Sequence, residues 1–225
     1  MKIKIFCDFD GTITRQDTTD AVLETFARPE YKDWERKWEE GTLSARECMR
    51  QQTRLIQAGP ETLRSFLIRQ PIDPGIHVLK KECVKNGASL VIVSDGIDFL
   101  MKAVLRVNGL DHLPHYSNRL HWEEDGRPTL TFPYGDAVCQ GGCGVCKCRL
   151  LEQDGRQEFL TVYIGDGLSD RCVVHRADRV FAKKRLRAYC MAKGIVHDSF
   201  ETLTEVARAL FGEPSRLKPA IQEKR

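Results

Sequence analysis

Three apolar runs that lie far apart in the chain each end in carboxylates, and this repeated ending constrains the fold more than any other feature. The runs are IKIFC before Asp8 and Asp10, LVIVS before Asp95, and LTVYIG before Asp166. Each run is short and rich in β-branched residues, as buried strands are, and helical patterns separate the runs. A chain that alternates buried strands with helices forms a parallel sheet covered by helices. We therefore predict an α/β fold with a Rossmann-like parallel sheet.

A stretch of helical pattern interrupts this alternation directly after the first strand. Over residues 17–68, apolar residues recur at three-to-four spacing and no strand pattern is present. Residues 116–132 then have the alternation and the central Asp-Gly pair of a hairpin. We predict a core, a helical cap inserted after the first strand, and a polar tail, at residues 1–15 with 75–212, 16–74 and 213–225, respectively.

The polar residues that follow the three strands are expected to share one site. In an open parallel sheet, ligands bind at the edge where the carboxyl ends of the strands meet. The residues that this rule brings together are Asp8, Asp10, Ser94, Asp166 and Asp170. Clustered carboxylates need a cation, and Mg²⁺ takes oxygen ligands and shares its coordination shell with substrate phosphate. The alternative is that each aspartate caps a helix or a turn, as aspartate does at many strand ends.

Carboxylates, a metal and one lysine together indicate phosphoryl transfer. Asp8 is placed to attack phosphorus and form an aspartyl-phosphate. Asp10 lies two residues further along and faces the same side of the strand, so it is placed to protonate the leaving oxygen and then to activate water. The same intermediate would serve a phosphotransferase, which we keep as an alternative to a phosphomonoester hydrolase.

The motifs DFDGT, VSDG and GDGLSD resemble the first, second and fourth motifs of the haloacid dehalogenase-like phosphatases. The resemblance implies the fold of this family. It implies further that Ser94 donates a hydrogen bond to a phosphate oxygen and that Asp170 is a supporting acid. It also implies a Mg²⁺ ion held by the side chains of Asp8 and Asp166 and by the backbone carbonyl of Asp10. The lysine that the family requires matches Lys147 in GVCKCRLLE. The other residues of the second motif, Asp95 and Gly96, are implied to bind substrate.

The cap is similar to that of the phosphoserine phosphatase-like branch, and it differs from that branch at one position. Asp17 matches the acidic residue that follows the first motif, but the position of the cap arginine falls on Gln52. Glutamine cannot form a charged bidentate clamp on a carboxylate. The segments CGVCK and VFAKKRLRAYC instead resemble the methionine-salvage phosphatases, which act on a ketopentenyl phosphate. We expect such a substrate, and phosphoserine is the alternative.

Two features of the cap and of the adjoining loop have more than one interpretation. Trp34, Trp38 and Met49 would form an apolar lid over a substrate, or they simply pack in the cap. The loop CQGGCGVCKC would bind a structural Zn²⁺ through at least Cys143 and Cys146, the pair with the usual ligand spacing. The alternatives are a packing loop and a redox pair. The full candidate set for zinc is Cys139, Cys143, Cys146 and Cys148.

Composition gives no sign of a charged macromolecular partner. The net charge is +3, with 41% hydrophobic and 30% charged residues, as in an ordinary globular protein. The basic segment at Lys183, Lys184, Arg185 and Arg187 would suit an RNA-binding module, but it lacks interleaved aromatic residues and is more typical of a solvated helix face. Lys183 is also placed to approach the substrate phosphate. We expect a small phosphorylated metabolite as the partner, no nucleic acid, no membrane and a cytoplasmic location, and the oligomeric state is left open.

Overall fold

The structure is a computed structural model, and it describes residues 2–139, 141–153 and 159–212. The predicted polar tail lies outside these ranges. The strands are β1 (Lys2–Cys7), β2 (Ser89–Ile97), β3 (His115–Trp122), β4 (Pro128–Thr131), β5 (Phe159–Gly165), β6 (Arg179–Ala182) and β7 (Asp198–Ser199). The helices are α1 (Thr18–Phe26), α2 (Tyr31–Glu39), α3 (Ala45–Thr53), α4 (Pro60–Leu67), α5 (Gly75–Lys85), α6 (Asp98–Val107), α7 (Lys147–Gln153), α8 (Lys184–Lys193) and α9 (Leu203–Phe211). In this part of the chain, every helix is too short or too polar to cross a membrane.

The strands form a mostly parallel sheet with the order β4-β3-β2-β1-β5-β6-β7. β1 pairs in parallel with β2 on one side and β5 on the other, so that Cys7 lies beside Ile92 and Ile164. β5, β6 and β7 continue in the same direction. Because β1 lies between the other two strands that carry aspartates, its carboxyl end is central in the sheet. The prediction of an α/β fold with a helical insert after the first strand is confirmed.

Within the described ranges, the first of two compact units contains residues 2–15, 72–93, 147–153 and 159–212. Its core is made by apolar side chains of the central strands, among them Ile5, Phe6 and Ile92, which are almost fully buried. Such burial drives the packing of helices on the sheet. On this unit α5 packs against α9. This unit contains β1, β5 and β6, together with the turns that follow these strands.

The second compact unit contains residues 16–71 and 94–146. Its first part holds α1–α4, and its second part holds α6 and the antiparallel pair β3–β4. The strands of this pair are in register from Arg119↔Thr131 to Trp122↔Pro128, which confirms the predicted hairpin. These units are a division by packing, and the division into core and cap stays a prediction.

Candidate active site

The turn after β1 places Asp8 at the end of a buried strand. The N–H of Asp8 donates to the carbonyl of Ile164 at 2.9 Å, which extends the β1–β5 pairing by one residue. The N–H groups of residues 12–14 then all donate to the carbonyl of Phe9 and close a tight turn. Gly11 has a φ of +69°, which side-chain-bearing residues rarely adopt. The turn leaves Asp8 only 5% exposed.

Lys147 contacts Asp8 from the first residue of α7. Its Nζ donates to Asp8 Oδ1 at 2.8 Å and to Asp170 Oδ1 at 2.6 Å, and the residue is 5% exposed. Burial by itself would lower the pKa of Lys147, but the carboxylates of Asp170 and Asp8 outweigh it and hold the pKa well above its usual value. Lys147 therefore carries a buried positive charge between two aspartates, where the sequence pattern predicted the site's cation.

Asp170 is fully buried and is held by several donors in addition to Lys147. Its Oδ2 accepts the N–H groups of Asp166 and Gly167, each at 3.1 Å, and its Oδ1 accepts the hydroxyl of Tyr163. Burial, followed by the charge of Asp170, raises the pKa of Tyr163 well above its usual value, so the phenol remains a donor. Asp170 is thus fixed by the turn after β5, and it in turn holds Lys147.

Asp166 follows β5 and lies against the Gly11 turn. Its Oδ1 accepts from Thr12 Oγ1 at 3.2 Å, and its Oδ2 accepts from Lys184 Nζ at 3.0 Å. A Cβ built on Gly11 would lie 2.2 Å from Asp166 Oδ2, a distance at which atoms cannot coexist. Glycine at position 11 therefore serves both the turn and the close approach of the carboxylate.

Asp8, Asp166 and Asp170 form a cluster in which one carboxylate oxygen of each residue lies within 4.8 Å of one oxygen of each of the other two. Burial, then the nearby charge of Asp170, raises the pKa of Asp8 well above its usual value, although Lys147 acts in the opposite direction. Carboxylates that are buried close together resist ionisation. A divalent cation such as Mg²⁺, which binds hard oxygen donors, would offset their negative charge. The Asp170 carboxylate already accepts four hydrogen bonds, against one at Asp8 and two at Asp166, so the side chains of Asp8 and Asp166 fit a metal best.

Lys183 is buried directly after β6, at the same edge of the sheet as these aspartates. Its Nζ donates to the carbonyl of Thr12 at 3.3 Å and lies 5.2 Å from the centre of the Phe200 ring. Burial and the neighbouring charge of Lys184 lower the pKa of Lys183. In this structure Lys183 holds the backbone of the Asp8 turn, and its contact with a substrate phosphate stays a prediction.

The second motif lies on β2, and its last residues belong to the second compact unit. Ser94 is buried, and its Oγ accepts the N–H of Gly96 at 2.9 Å. Asp95 Oδ1 accepts the N–H of Val145 at 2.8 Å, and the Asp95 carbonyl accepts from Asn118 Nδ2 at 2.6 Å. Asp95 thus binds the backbone of the cysteine loop. The phosphate-binding role of Ser94 and the substrate-binding roles of Asp95 and Gly96 stay predictions.

Three further predicted residues have local structural contexts. Asp10 is half-buried in the turn after β1. Asp17 caps α1, because its Oδ1 accepts the N–H groups of Thr19 and Asp20 at 2.8 and 3.0 Å. Gln52 is buried in α3, and its Nε2 donates to the carbonyl of Tyr31 at 3.3 Å. The capping bonds account for an aspartate at position 17, and the chemical roles of all three residues stay predictions.

The cysteine loop carries the four thiols of the predicted zinc site. Within the described ranges, the carboxylate cluster is the one group of three or more such side chains with ligand atoms within 4.8 Å of one another. Burial opposes ionisation of Cys139, but hydrogen bonds from the backbone of Cys143 and Gly141 outweigh it and lower the pKa of Cys139. Zinc binding by Cys139, Cys143, Cys146 and Cys148 stays a prediction.

Three residues of the site were missed by sequence reasoning: Thr12, Tyr163 and Lys184. Tyr163 lies inside a mostly apolar strand, where a tyrosine is typical of packing and gives no separate sign of a role in the site. Lys184 was counted in the basic face of α8, although it follows the strand-like segment RVFA as Lys183 does. The position at a strand end singled out Lys183, and it would have placed Lys184 at the same edge of the sheet without giving its contacts.

The match to known families accords with this geometry. A model of the haloacid dehalogenase-like hydrolases matches residues 5–175. The chain belongs to the haloacid dehalogenase-like hydrolases. Among the relatives of this hydrolase is a 2-hydroxy-3-keto-5-methylthiopentenyl-1-phosphate phosphatase of Brevibacillus brevis, 32% identical over an alignment of 215 residues that covers 93% of this chain and 95% of that protein. A protein of the same name from Bacillus cereus is 31% identical over 93% of this chain and 96% of its own length.

Solved structures similar to this hydrolase include phosphoserine phosphatases. One, described as a phospho-aspartyl intermediate analogue, has a TM-score of 0.69 and 23% identity, covering 92% of this chain and 98% of its own. A substrate-bound phosphoserine phosphatase has a TM-score of 0.67 and 22% identity, with the same coverage. At these identities the likeness shows the fold. The family and the predicted class of enzyme, a phosphatase, are confirmed by the family match and the named relatives.

Proposed function

We propose that this hydrolase removes the phosphoryl group from a small phosphorylated metabolite through a covalent intermediate on Asp8. The contact of Lys147 Nζ with Asp8 Oδ1 at 2.8 Å, within the buried carboxylate cluster, carries the proposal. An ammonium group at this distance favours the ionised, nucleophilic form of Asp8 and offsets the charge of an incoming phosphate. Relatives named as phosphatases support the class of reaction.

The reaction consists of two displacements at phosphorus. A carboxylate oxygen of Asp8 forms a bond to phosphorus, and the bond from phosphorus to the substrate oxygen breaks. Asp10 gives a proton to that leaving oxygen. Asp10 then takes a proton from water, whose oxygen attacks phosphorus, so that inorganic phosphate leaves and Asp8 is restored. A phosphotransferase would use an alcohol in place of this water. We propose water because the curated relatives are named phosphatases.

The side chains of Asp8 and Asp166 and the backbone carbonyl of Asp10 would hold Mg²⁺. When bound, Mg²⁺ offsets negative charge on the phosphoryl oxygens and orients them. Asp170 serves to position Lys147, because its oxygens already accept from Tyr163, two backbone N–H groups and Lys147 itself. The reaction does not require Zn²⁺ in the cysteine loop, which is a separate prediction.

The proposed substrate is the methylthio-ketopentenyl phosphate named for the relatives, or a close analogue of it. Gln52 supports this choice, because its neutral amide is committed to the carbonyl of Tyr31 and offers no charge for an amino-acid carboxylate. A neutral ketose or enol phosphate does not need such a charge.

Phosphate release by purified protein tests the reaction. The Asp8→Asn variant keeps the shape of the side chain but removes the nucleophile, and we expect it to lower turnover by at least about a thousandfold. Asp111→Asn is the matched control, because Asp111 is exposed and lies in the loop after α6. Turnover of Asp8→Asn equal to that of Asp111→Asn would show that Asp8 is not the nucleophile.

A comparison of two substrates tests the specificity. We expect kcat/KM to be higher for 2-hydroxy-3-keto-5-methylthiopentenyl 1-phosphate than for phosphoserine, under the same Mg²⁺ concentration. Selective hydrolysis of phosphoserine would contradict the proposed substrate and leave the proposed chemistry intact. Addition of alcohol acceptors to the same assay separates hydrolysis from transfer.

A further inference from the structure

Two successive lysines at the junction of β6 and α8 hold the turn that carries Asp8. Lys183 Nζ donates to the carbonyl of Thr12 at 3.3 Å, and Lys184 Nζ donates to the carbonyl of Gly11 at 3.0 Å. Neighbouring ammonium groups thus bind neighbouring carbonyls. Lys184 also contacts a carboxylate of the cluster.

That carboxylate belongs to Asp166, which accepts from Lys184 through one oxygen and from Thr12 through the other. Lys184 Nζ lies 3.0 Å from Asp166 Oδ2, while Thr12 Oγ1 donates to Asp166 Oδ1. The side chain of Asp166 is 12% exposed and that of Lys184 is 47% exposed. One end of this ion pair is therefore buried with the site, and the other is open to solvent.

The backbone around Lys184 is fixed in an uncommon conformation. Within the described ranges, Lys184 is the non-glycine residue with a positive φ, at 45°. This region is disfavoured for residues with a Cβ, so it persists where surrounding contacts determine it. Here the N–H of Lys183 donates to the carbonyl of Gly165 at 3.1 Å, and the N–H of Leu186 donates to the carbonyl of Asp166 at 2.8 Å. The backbone on both sides of Lys184 is thus bonded to the end of β5.

Two lysines form the ion pairs with the three aspartates of the cluster. Lys147 contacts Asp8 and Asp170, and Lys184 contacts Asp166. A divalent cation held by Asp8 and Asp166 would therefore meet an ammonium group already bonded to one of its ligands. The cation and the ammonium group are both positive, and at such close range their repulsion would lower the affinity for the cation even at high dielectric.

We propose that Lys184 is a positioning residue that lowers the affinity of the site for Mg²⁺. Its ammonium group holds Asp166 against the Gly11 turn, balances the carboxylate while no divalent cation is present, and competes with the cation for Asp166. This inference rests on the proposed function, because it takes Asp166 as a ligand of the metal.

Binding of MgCl₂ to the purified protein, measured by isothermal titration calorimetry, tests this role directly. Lys184→Met keeps the length of the side chain and removes its charge, and we expect it to bind Mg²⁺ about fivefold more tightly at low ionic strength. The difference should shrink as KCl is added, because half of the Lys184 side chain is open to screening. A purely structural role of Lys184 would not give tighter binding.

Three further variants make the test specific. Lys184→Gly also removes the charge and accepts the positive φ without strain, so it should bind Mg²⁺ as tightly as Lys184→Met, and it serves if that variant does not fold. Lys184→Arg keeps the charge and should bind as the wild type does. Lys193→Met makes the same chemical change at the exposed end of α8 and should have no effect.

The outcomes separate this inference from the proposed function. If the wild type binds Mg²⁺ and the two neutral variants bind it equally or more weakly, the role of Lys184 is overturned and the metal site stands. If the wild type binds no Mg²⁺, both are overturned.

Discussion

Asp170 is a fully buried carboxylate that is stabilised by hydrogen-bond donors from three directions. Lys147, the hydroxyl of Tyr163 and two backbone N–H groups supply them. A buried charge is tolerated when it is paired and hydrogen-bonded in this way, and removal of one donor costs more than an average neutral hydrogen bond. The strength of this arrangement should appear in the stability of the protein.

We expect Tyr163→Phe to lower the free energy of unfolding by about 2 kcal/mol, the scale of a hydrogen bond to a charged group. Urea denaturation followed by circular dichroism measures it. Tyr189→Phe is the control, because the Tyr189 hydroxyl bonds to the exposed His175 at 3.4 Å and should contribute little. Equal stability of the two variants would mean that the tyrosine hydroxyl does not support Asp170.

Sequence reasoning at the scale of residues worked where chain direction alone decides the position. Asp8, Asp166 and Asp170 follow parallel strands, so the topology brings them together, and the structure gathers them in one cluster. It did not find the contacts of Lys184 with Gly11 and Asp166, because they depend on a left-handed backbone residue and on where a long side chain then points. Spacing in the sequence carries neither piece of information.

At the scale of elements, a single carboxylate joins the starts of two helices that are distant in the chain. Asp73 Oδ1 accepts the N–H of Gly75, the first residue of α5, at 2.8 Å, and Asp73 Oδ2 accepts the N–H of Leu203, the first residue of α9, at 2.7 Å. Gly75 has no room for a side chain, because a Cβ there would lie 2.4 Å from the backbone nitrogen of Thr204. The two helix starts are therefore packed closely and share one capping group.

We expect Asp73→Ala to lower the free energy of unfolding by about 2 kcal/mol, since it leaves two buried N–H groups without an acceptor. Asp73→Asn keeps one acceptor oxygen and should lose about half as much. Asp111→Ala, at an exposed position, controls for the substitution itself in the same urea titration. A loss for Asp73→Ala no larger than for the control would contradict the shared cap.

The sequence predicted the elements that have their own pattern and missed one that depends on its neighbour. β1, β2 and β5 are apolar runs, and the hairpin has a turn signal, so each was found. β7 consists of Asp198 and Ser199 and exists through its pairing with Phe181 and Ala182 of β6. Two polar residues have no strand periodicity, so tertiary pairing alone determines this strand.

At the scale of the molecule, the proposed Mg²⁺ site should couple metal binding to folding. A ligand that binds the folded state at a hundred times its Kd adds about 2.7 kcal/mol to stability. For a chain of this size, that corresponds to a rise of about 5–10 °C in Tm. We expect this rise on adding MgCl₂, its reversal by EDTA, and a much smaller rise in Asp166→Asn. KCl at equal ionic strength is the control, and a wild-type Tm that MgCl₂ leaves unchanged relative to KCl would contradict a coupled site.

The long sequence separation between Asp8 and the residues that hold it bears on synthesis. Lys147 follows Asp8 by 139 residues, and Asp166 follows Thr12 by 154 residues. Because a ribosome makes the chain from its N-terminus, Asp8 is translated long before its cation and the carboxylate that approaches its turn. β1 also gains its second neighbour only when β5 has emerged. A nascent chain thus carries the proposed nucleophile in an unfinished sheet, and the proposed catalytic site is completed only late in translation.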